Sequence, residues 1–239
     1  MEQEKATLTI DNYMDPHYMH RSNWLRASVL GANDGIISIS SLCIGIAAAS
    51  STREPIALAA TAGLVAGALS MAAGEYVSVS SQTDTEKADI EREAEELRAN
   101  PDDEQKILAE IYVRRGLTPE TANLVAKELT ASDALAAHIR DELGINEITQ
   151  AKPIQAAMAS GASFMVGGIM PLLVTLLAPV KSMEYWLYGL TIVFLVILGI
   201  IAAKAGGSVI IKAILRITIW GSIAMGLSAL VGYLFGVNV

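Results

Sequence analysis

Five separate stretches, each of about 20 or more mostly apolar residues, constrain this chain more than any other feature. A helix rising 1.5 Å per residue needs about that length to cross the roughly 30 Å of hydrocarbon in a bilayer. The stretches occupy residues 27–50, 56–81, 154–178, 186–203 and 213–237. Composition agrees, since 52% of the 239 residues are hydrophobic and the mean hydropathy is +0.43, too apolar for an ordinary water-soluble domain of this size. The expected fold is therefore an all-α membrane protein with five transmembrane helices.

The remainder is polar, and its charge is concentrated. Between Asp84 and Glu147 there are 17 Asp and Glu against 8 Lys and Arg, whereas the rest of the chain carries 8 acids and 9 bases. The whole formal charge of -8 thus arises in one acidic insert between the second and third spans. This divides the chain into an N-terminal segment (1–26), spans one and two (27–82), the insert (83–152) and spans three to five (153–239). The opening residues lack the charged start, apolar run and small-residue site of a cleavable signal peptide. A single cysteine, Cys43, leaves no intrachain disulfide or zinc-finger spacing.

Lys and Arg favour the cytoplasmic side of short loops. Threading five spans alternately puts Arg21, Arg26, Lys152, Lys204, Lys212, Arg216 and the bases of the insert on one side, with Arg53 and Lys181 on the other. The N-terminus and the insert are expected in the cytoplasm and the C-terminus outside, in the inner membrane if the source is bacterial. Trp24, Tyr185, Trp186 and Tyr233 fall near span ends, where amphipathic rings prefer the interface.

The second span opens at Pro55 and meets no further proline before Pro101, so its helix can continue out of the bilayer as one rod of about 65 Å. Asn100 and Pro101 followed by Asp102, Asp103 and Glu104 read as a new helix start, with acids at the positive end of the dipole. Gly116 stops that helix, Thr118 and Pro119 begin another, Ser132 is expected to cap a further turn or two, and Gly144 ends it. The insert thus reads as about three helices.

Ionisable residues inside a span are costly and are functional candidates by default. Asp34 lies about 15 Å deep in the first span and Glu75 about 10 Å inside the cytoplasmic end of the second, at comparable depth. Met71 and Glu75, four residues apart, share a helix face, and a thioether beside a carboxylate suits a borderline cation such as Fe(II) better than Mg(II). Asn33 adds an amide oxygen beside Asp34. Small residues, among them Gly31, Gly35, Gly63, Gly67 and Gly74, allow close helix contacts around these acids. Pro171 in the third span is expected to kink it and free backbone carbonyls.

In the insert, Glu93 and Glu96 stand three apart, and His138 and Glu142 four apart on another helix. Carboxylates and an imidazole on neighbouring helices are how helical bundles hold iron or manganese. A solvated acidic face with helix-supporting pairs such as Glu110 with Arg114 is the competing reading. The histidines, His17, His20 and His138, all lie outside the spans, and no Gly-rich phosphate loop is present. An intramembrane hydrolase and a nucleotide-driven pump are therefore disfavoured, and the chain is not expected to be an enzyme.

Together, the first span (HRSNWLRASVLGANDGIISISSL), the second (AGALSMAAGEYVSVSSQTD), the acidic helices after it and the proline-bearing third span resemble the vacuolar iron transporter family, in the same order and from His20 onward. The resemblance implies five-span subunits in a homodimer whose first spans line the pathway, a cytoplasmic three-helix metal-binding domain, and proton-coupled export from the cytoplasm. By position it implies Asp34 as the pathway aspartate, Met71 as the second-span methionine with Glu75 in the same motif, Glu93 and Glu96 as the first glutamate pair and Glu104 as the start of the second. Two departures stand out. Ile107 occupies the place of a partner glutamate, with Glu110 the nearest substitute, and His138 with Glu142 fill a neighbourhood where methionines are expected.

The expected function is export of Fe(II), with Mn(II) and Zn(II) as further ions and H+ as the coupling ion. The expected partners are a second copy, the lipid bilayer and divalent metal ions, not nucleic acid. A membrane-anchored metal buffer or sensor without transport is the alternative.

Overall fold

The computed structural model describes residues 22–50, 52–145 and 152–236. Expectations placed on His17, His20, Arg21, Glu147 and the return to the membrane at 146–151 lie outside them. The described elements are helices: α1 (Ser22–Ala49), α2 (Arg53–Ala99), α3 (Pro101–Arg114), α4 (Pro119–Asp141), α5 (Pro153–Leu177), α6 (Met183–Gly206) and α7 (Ile210–Gly236), with a 3-10 turn at Val180–Ser182. Five of them, α1, α2, α5, α6 and α7, are long and apolar enough to cross a membrane, and the chain is a multi-pass membrane protein. α6 begins three residues ahead of the expected 186, because the turn after Pro179 sets its start rather than the aromatic pair.

α2 runs unbroken for 47 residues. Pro55 is harmless in its first turn, where the missing N–H has no partner to lose. The described residues divide into two compact units, one made of those up to Tyr76 and from Ile154 onward, the other of those from Val77 to Pro153.

In the first unit α1 packs against α6 and α7 and presses its backbone onto α5. A Cβ on Gly31 would stand 2.3 Å from the Ser160 carbonyl oxygen, and one on Gly35 would stand 2.2 Å from that of Phe164. Glycine is required here because the two backbones meet where a side chain would otherwise lie. Ile39, Cys43, Ile44, Ile56, Leu64 and Phe164 form the heart of the apolar core. Within it Ser40 and Thr191 share a hydrogen bond of 2.7 Å, and the Tyr188 hydroxyl donates to the Met225 carbonyl. α5 passes through Pro171 as one continuous helix, and the Thr175 hydroxyl donates to the Pro171 carbonyl at 2.9 Å. At the end of α5 the Arg53 guanidinium donates to the carbonyls of Leu176 and Ala178, two of the acceptors that a helix terminus leaves open. Leu58, Leu177, Trp220 and Phe235 are exposed on the outside, the surface expected of a bundle whose solvent is lipid.

Gly35→Val should destabilise the bundle by about 1–3 kcal/mol or more, the usual cost of overpacking, because the obstacle is backbone rather than a mobile side chain. Gly74→Ala meets open space and should change nothing. Thermal unfolding in detergent, followed by size-exclusion chromatography, distinguishes the two; equal melting of both variants and the parent contradicts the packing account.

The second unit contains the polar end of α2 together with α3 and α4, around a small core of Leu108, Ala109, Ala126 and Ala137. α3 starts at Asn100 and Pro101 and closes on Gly116 at φ +103°, with the Gly116 N–H bonded to Val113 and the Leu117 N–H to Tyr112. That pair of bonds is the glycine-terminated helix end known as the Schellman motif. Thr118 caps α4, its hydroxyl accepting from the Thr121 N–H. The break expected at Ser132 falls instead at Asp133, whose backbone is extended (φ -163°, ψ 95°) and whose carboxylate accepts from the Ala136 N–H at 3.0 Å. Either residue can cap a helix; here the carboxylate of Asp133 is the one that reaches the amide.

Candidate metal centre

The kink at Asp133 re-aims the last turns of α4, placing His138 inside the second unit and Glu142 one turn beyond it. Glu93 approaches from the polar end of α2 and Glu104 from the first turn of α3, where the small residues Ala109, Ala126 and Ala137 let the helices close. Glu93 is 3% exposed, Glu104 6% and His138 fully buried, whereas Glu142 is exposed. One oxygen from each of the three glutamates and one imidazole nitrogen all lie within 4.8 Å of one another.

His138 Nδ1 stands 2.8 Å from Glu93, 2.8 Å from Glu142 and 4.0 Å from Glu104. Only the contact with Glu142 has hydrogen-bond alignment. Glu93 Oε1 and His138 Nε2 are buried without a hydrogen-bond partner among the described residues. A ring nitrogen carries at most one proton, so it cannot satisfy three carboxylates at once. The site therefore has more buried acceptors than donors, an arrangement that is expensive unless a proton or a cation enters.

Burial pushes the Glu93 carboxyl above the usual range, and the charge of Glu142 adds to this while His138 opposes it. Glu104 is raised in the same way, first by burial, with His138 again opposing and Glu142 and Glu96 contributing. Carboxylate oxygens with one imidazole make a donor set suited to Fe(II), Mn(II) or Zn(II).

The other candidates are placed as follows. Glu96 is exposed, yet close enough for its charge to raise both Glu93 and Glu104. Glu110 is exposed and pairs with Arg114 at 3.3 Å, away from the cluster of four. In the first unit Asp34 is half-buried and accepts a hydrogen bond from the Ser38 hydroxyl at 2.5 Å. Asn33 Oδ1 is buried with no partner among the described residues. Met71 is half-buried against the apolar core, and Glu75 is half-buried one turn further along α2.

Sequence reasoning overlooked Ser38, although its spacing of four residues from Asp34 puts it on the same face. It also missed Asp141, 7% exposed, which accepts from Arg115 at 2.6 Å, Arg140 at 2.7 Å and Tyr112 at 2.8 Å and so ties the end of α3 to the end of α4. No local pattern marks such a long-range clamp. Burial pushes the Asp141 carboxyl up, but hydrogen bonds from Arg140, Arg115 and Tyr112 outweigh it and hold the value at about 2. Its stabilisation is accordingly present above the unfolded value of 3.8 and is lost as pH falls from there through about 2. Asp141→Asn should cost about 2 kcal/mol at neutral pH and flatten this acid dependence. Thermal melts of both proteins from pH 2 to 7 measure it, and parallel curves contradict it.

Fold and site together define a class: a multi-pass helical membrane protein whose polar helical unit carries a buried carboxylate and imidazole cluster fit for a divalent cation. A family model described as the VIT family matches residues 25–233. A relative named vacuolar iron transporter, from Acanthamoeba castellanii, is 42% identical over 226 residues, covering 94% of this chain and 84% of its own. Vacuolar iron transporter homolog 1 of Oryza sativa subsp. japonica is 33% identical over 93% of this chain and 78% of its own, and VIT-like transporter 1b of Glycine max 30% identical over 96% and 86%. The chain belongs to the VIT family.

Proposed function

We propose that this protein is a homodimeric, proton-coupled exporter of divalent metal, carrying Fe(II) and also Mn(II) out of the cytoplasm. The names of its relatives supply iron transport as the starting point. The observation that carries the reading is the cluster of buried Glu93, Glu104 and His138 with exposed Glu142 at its edge, whose excess of acceptors calls for a cation. In this reading the acidic unit, residues 83–152, is cytoplasmic and gathers metal, with Glu96 adding negative potential nearby and Glu110 outside the coordination sphere.

Metal then passes Asp34, with Asn33, Met71 and Glu75 as further pathway groups. Asp34 accepts one hydrogen bond, from Ser38, and Asn33 Oδ1, the residue before it in sequence, has no partner among the described residues. Both oxygens can accept a cation stripped of part of its water. In a homodimer with first spans facing across the two-fold axis, two Asp34 carboxylates would approach each other, and like charges held together favour a shared proton or cation. Competition between protons and metal for the same carboxylates is the simplest route to exchange.

A panel of divalent ions tests the reading in vesicles containing the purified protein. Fe(II) and Mn(II) should move with the pH gradient, Zn(II) more slowly, and Mg(II) and Ca(II) should neither move nor compete. The alternative, an anchored buffer or sensor, gives metal binding with no flux for any ion.

A further inference from the structure

The two arginines Arg26 and Arg216 come from opposite ends of the sequence, on α1 and α7, yet line one open pocket of about 410 Å³ bounded by α1, α6 and α7. Both are exposed, and neither has an ion-pair or hydrogen-bond partner among the described residues. Among the described residues, no acidic side chain lines the pocket. Two guanidinium groups lining one cavity give it a positive potential that favours an anion. Guanidinium groups match phosphate oxygens through paired N–H donors.

The rest of the wall narrows the choice of anion. Leu25, Val29 and Ile217 make one side apolar, while the Ser208 side of the pocket lies at the turn between α6 and α7. Trp24, exposed, begins the apolar span within α1, so the pocket falls at the end of the spans, where headgroups meet hydrocarbon. Lys204 and Lys212 are exposed on either side of the same turn and add positive potential. An inorganic ion has no use for the apolar wall. A glycerophospholipid fills both halves, its phosphate between the arginines and its glycerol and upper acyl carbons along Val29 and Ile217. Basic pockets between membrane helices hold acidic lipids in this way.

We propose that this pocket is a binding site for an anionic phospholipid headgroup, independent of the metal pathway. The test is native mass spectrometry of the full-length protein in neutral detergent, titrated with phosphatidylglycerol or phosphatidylcholine. The protein should retain phosphatidylglycerol about tenfold better. Arg26→Gln with Arg216→Gln should abolish the preference, and Lys181→Gln, outside the pocket, should keep it. A parent protein without the preference overturns the proposal whatever the variants do, as does a folded double variant that retains it. Displacement of phosphatidylglycerol by millimolar inorganic phosphate overturns the lipid assignment in favour of a free-anion site.

Discussion

Asp34→Asn should lower proton-driven metal flux by about a hundredfold or more, because a partly desolvated cation left without its carboxylate partner loses about 3–5 kcal/mol. The substitution keeps shape and can still accept from Ser38, so the bundle should assemble as before. In the proposed mechanism it removes the group that both cations need, since an amide holds neither a proton nor a full negative charge. Asp34→Glu restores the charge on a longer arm and should recover part of the flux. Metal binding by the second unit should be unchanged in both. Undiminished flux in a well-folded Asp34→Asn protein contradicts the proposed pathway.

The second large effect concerns the buried cluster. Glu93 and Glu104 both have folded values raised above 4.5, so the folded state holds their protons more tightly than the unfolded chain does. Without metal, the cluster is therefore best tolerated below 4.5, and its contribution to stability falls as pH rises through the raised values. Metal supplies the missing positive charge, and at a hundred times its dissociation constant should add about 2.7 kcal/mol. Glu93→Gln with Glu104→Gln should raise the melting temperature of the metal-free protein near neutral pH, remove the loss of stability as pH rises above 4.5 and weaken metal binding by at least about a hundredfold. Melting curves with and without Mn(II) read all three. A double variant still stabilised by Mn(II) to the parent's extent contradicts the cluster as the capture site.

Much of this architecture is legible in the residues because lipid imposes a simple rule on helices: an apolar run long enough to cross must hydrogen-bond within itself. The spans, the continuous α2 and the glycine ends of α3 and α4 follow from length, proline spacing and backbone sterics. The pairing of His138 with Glu142 was readable as one helical turn. That Glu93 meets His138 was not, since it depends on how α2 and α4 cross rather than on either helix alone.

Glu110 shows how helical rotation separates residues that lie close in sequence. Six residues at 100° each rotate it about 240° from Glu104, to a different face, where it pairs with Arg114. Glu96, three residues from Glu93, is rotated only about 60° away, close enough to act through charge while remaining exposed. The choice of Asp133 over Ser132 turned on the reach of one carboxylate to one amide, which sequence alone does not resolve.

The most direct test of proton-coupled metal movement places the full-length protein in vesicles loaded with both a metal-sensitive and a pH-sensitive dye. With an acidic lumen and Fe(II) or Mn(II) outside, metal entry should be matched in time by loss of protons from the lumen, and both signals should disappear in Asp34→Asn. Metal held on the protein while both dyes stay silent would contradict it.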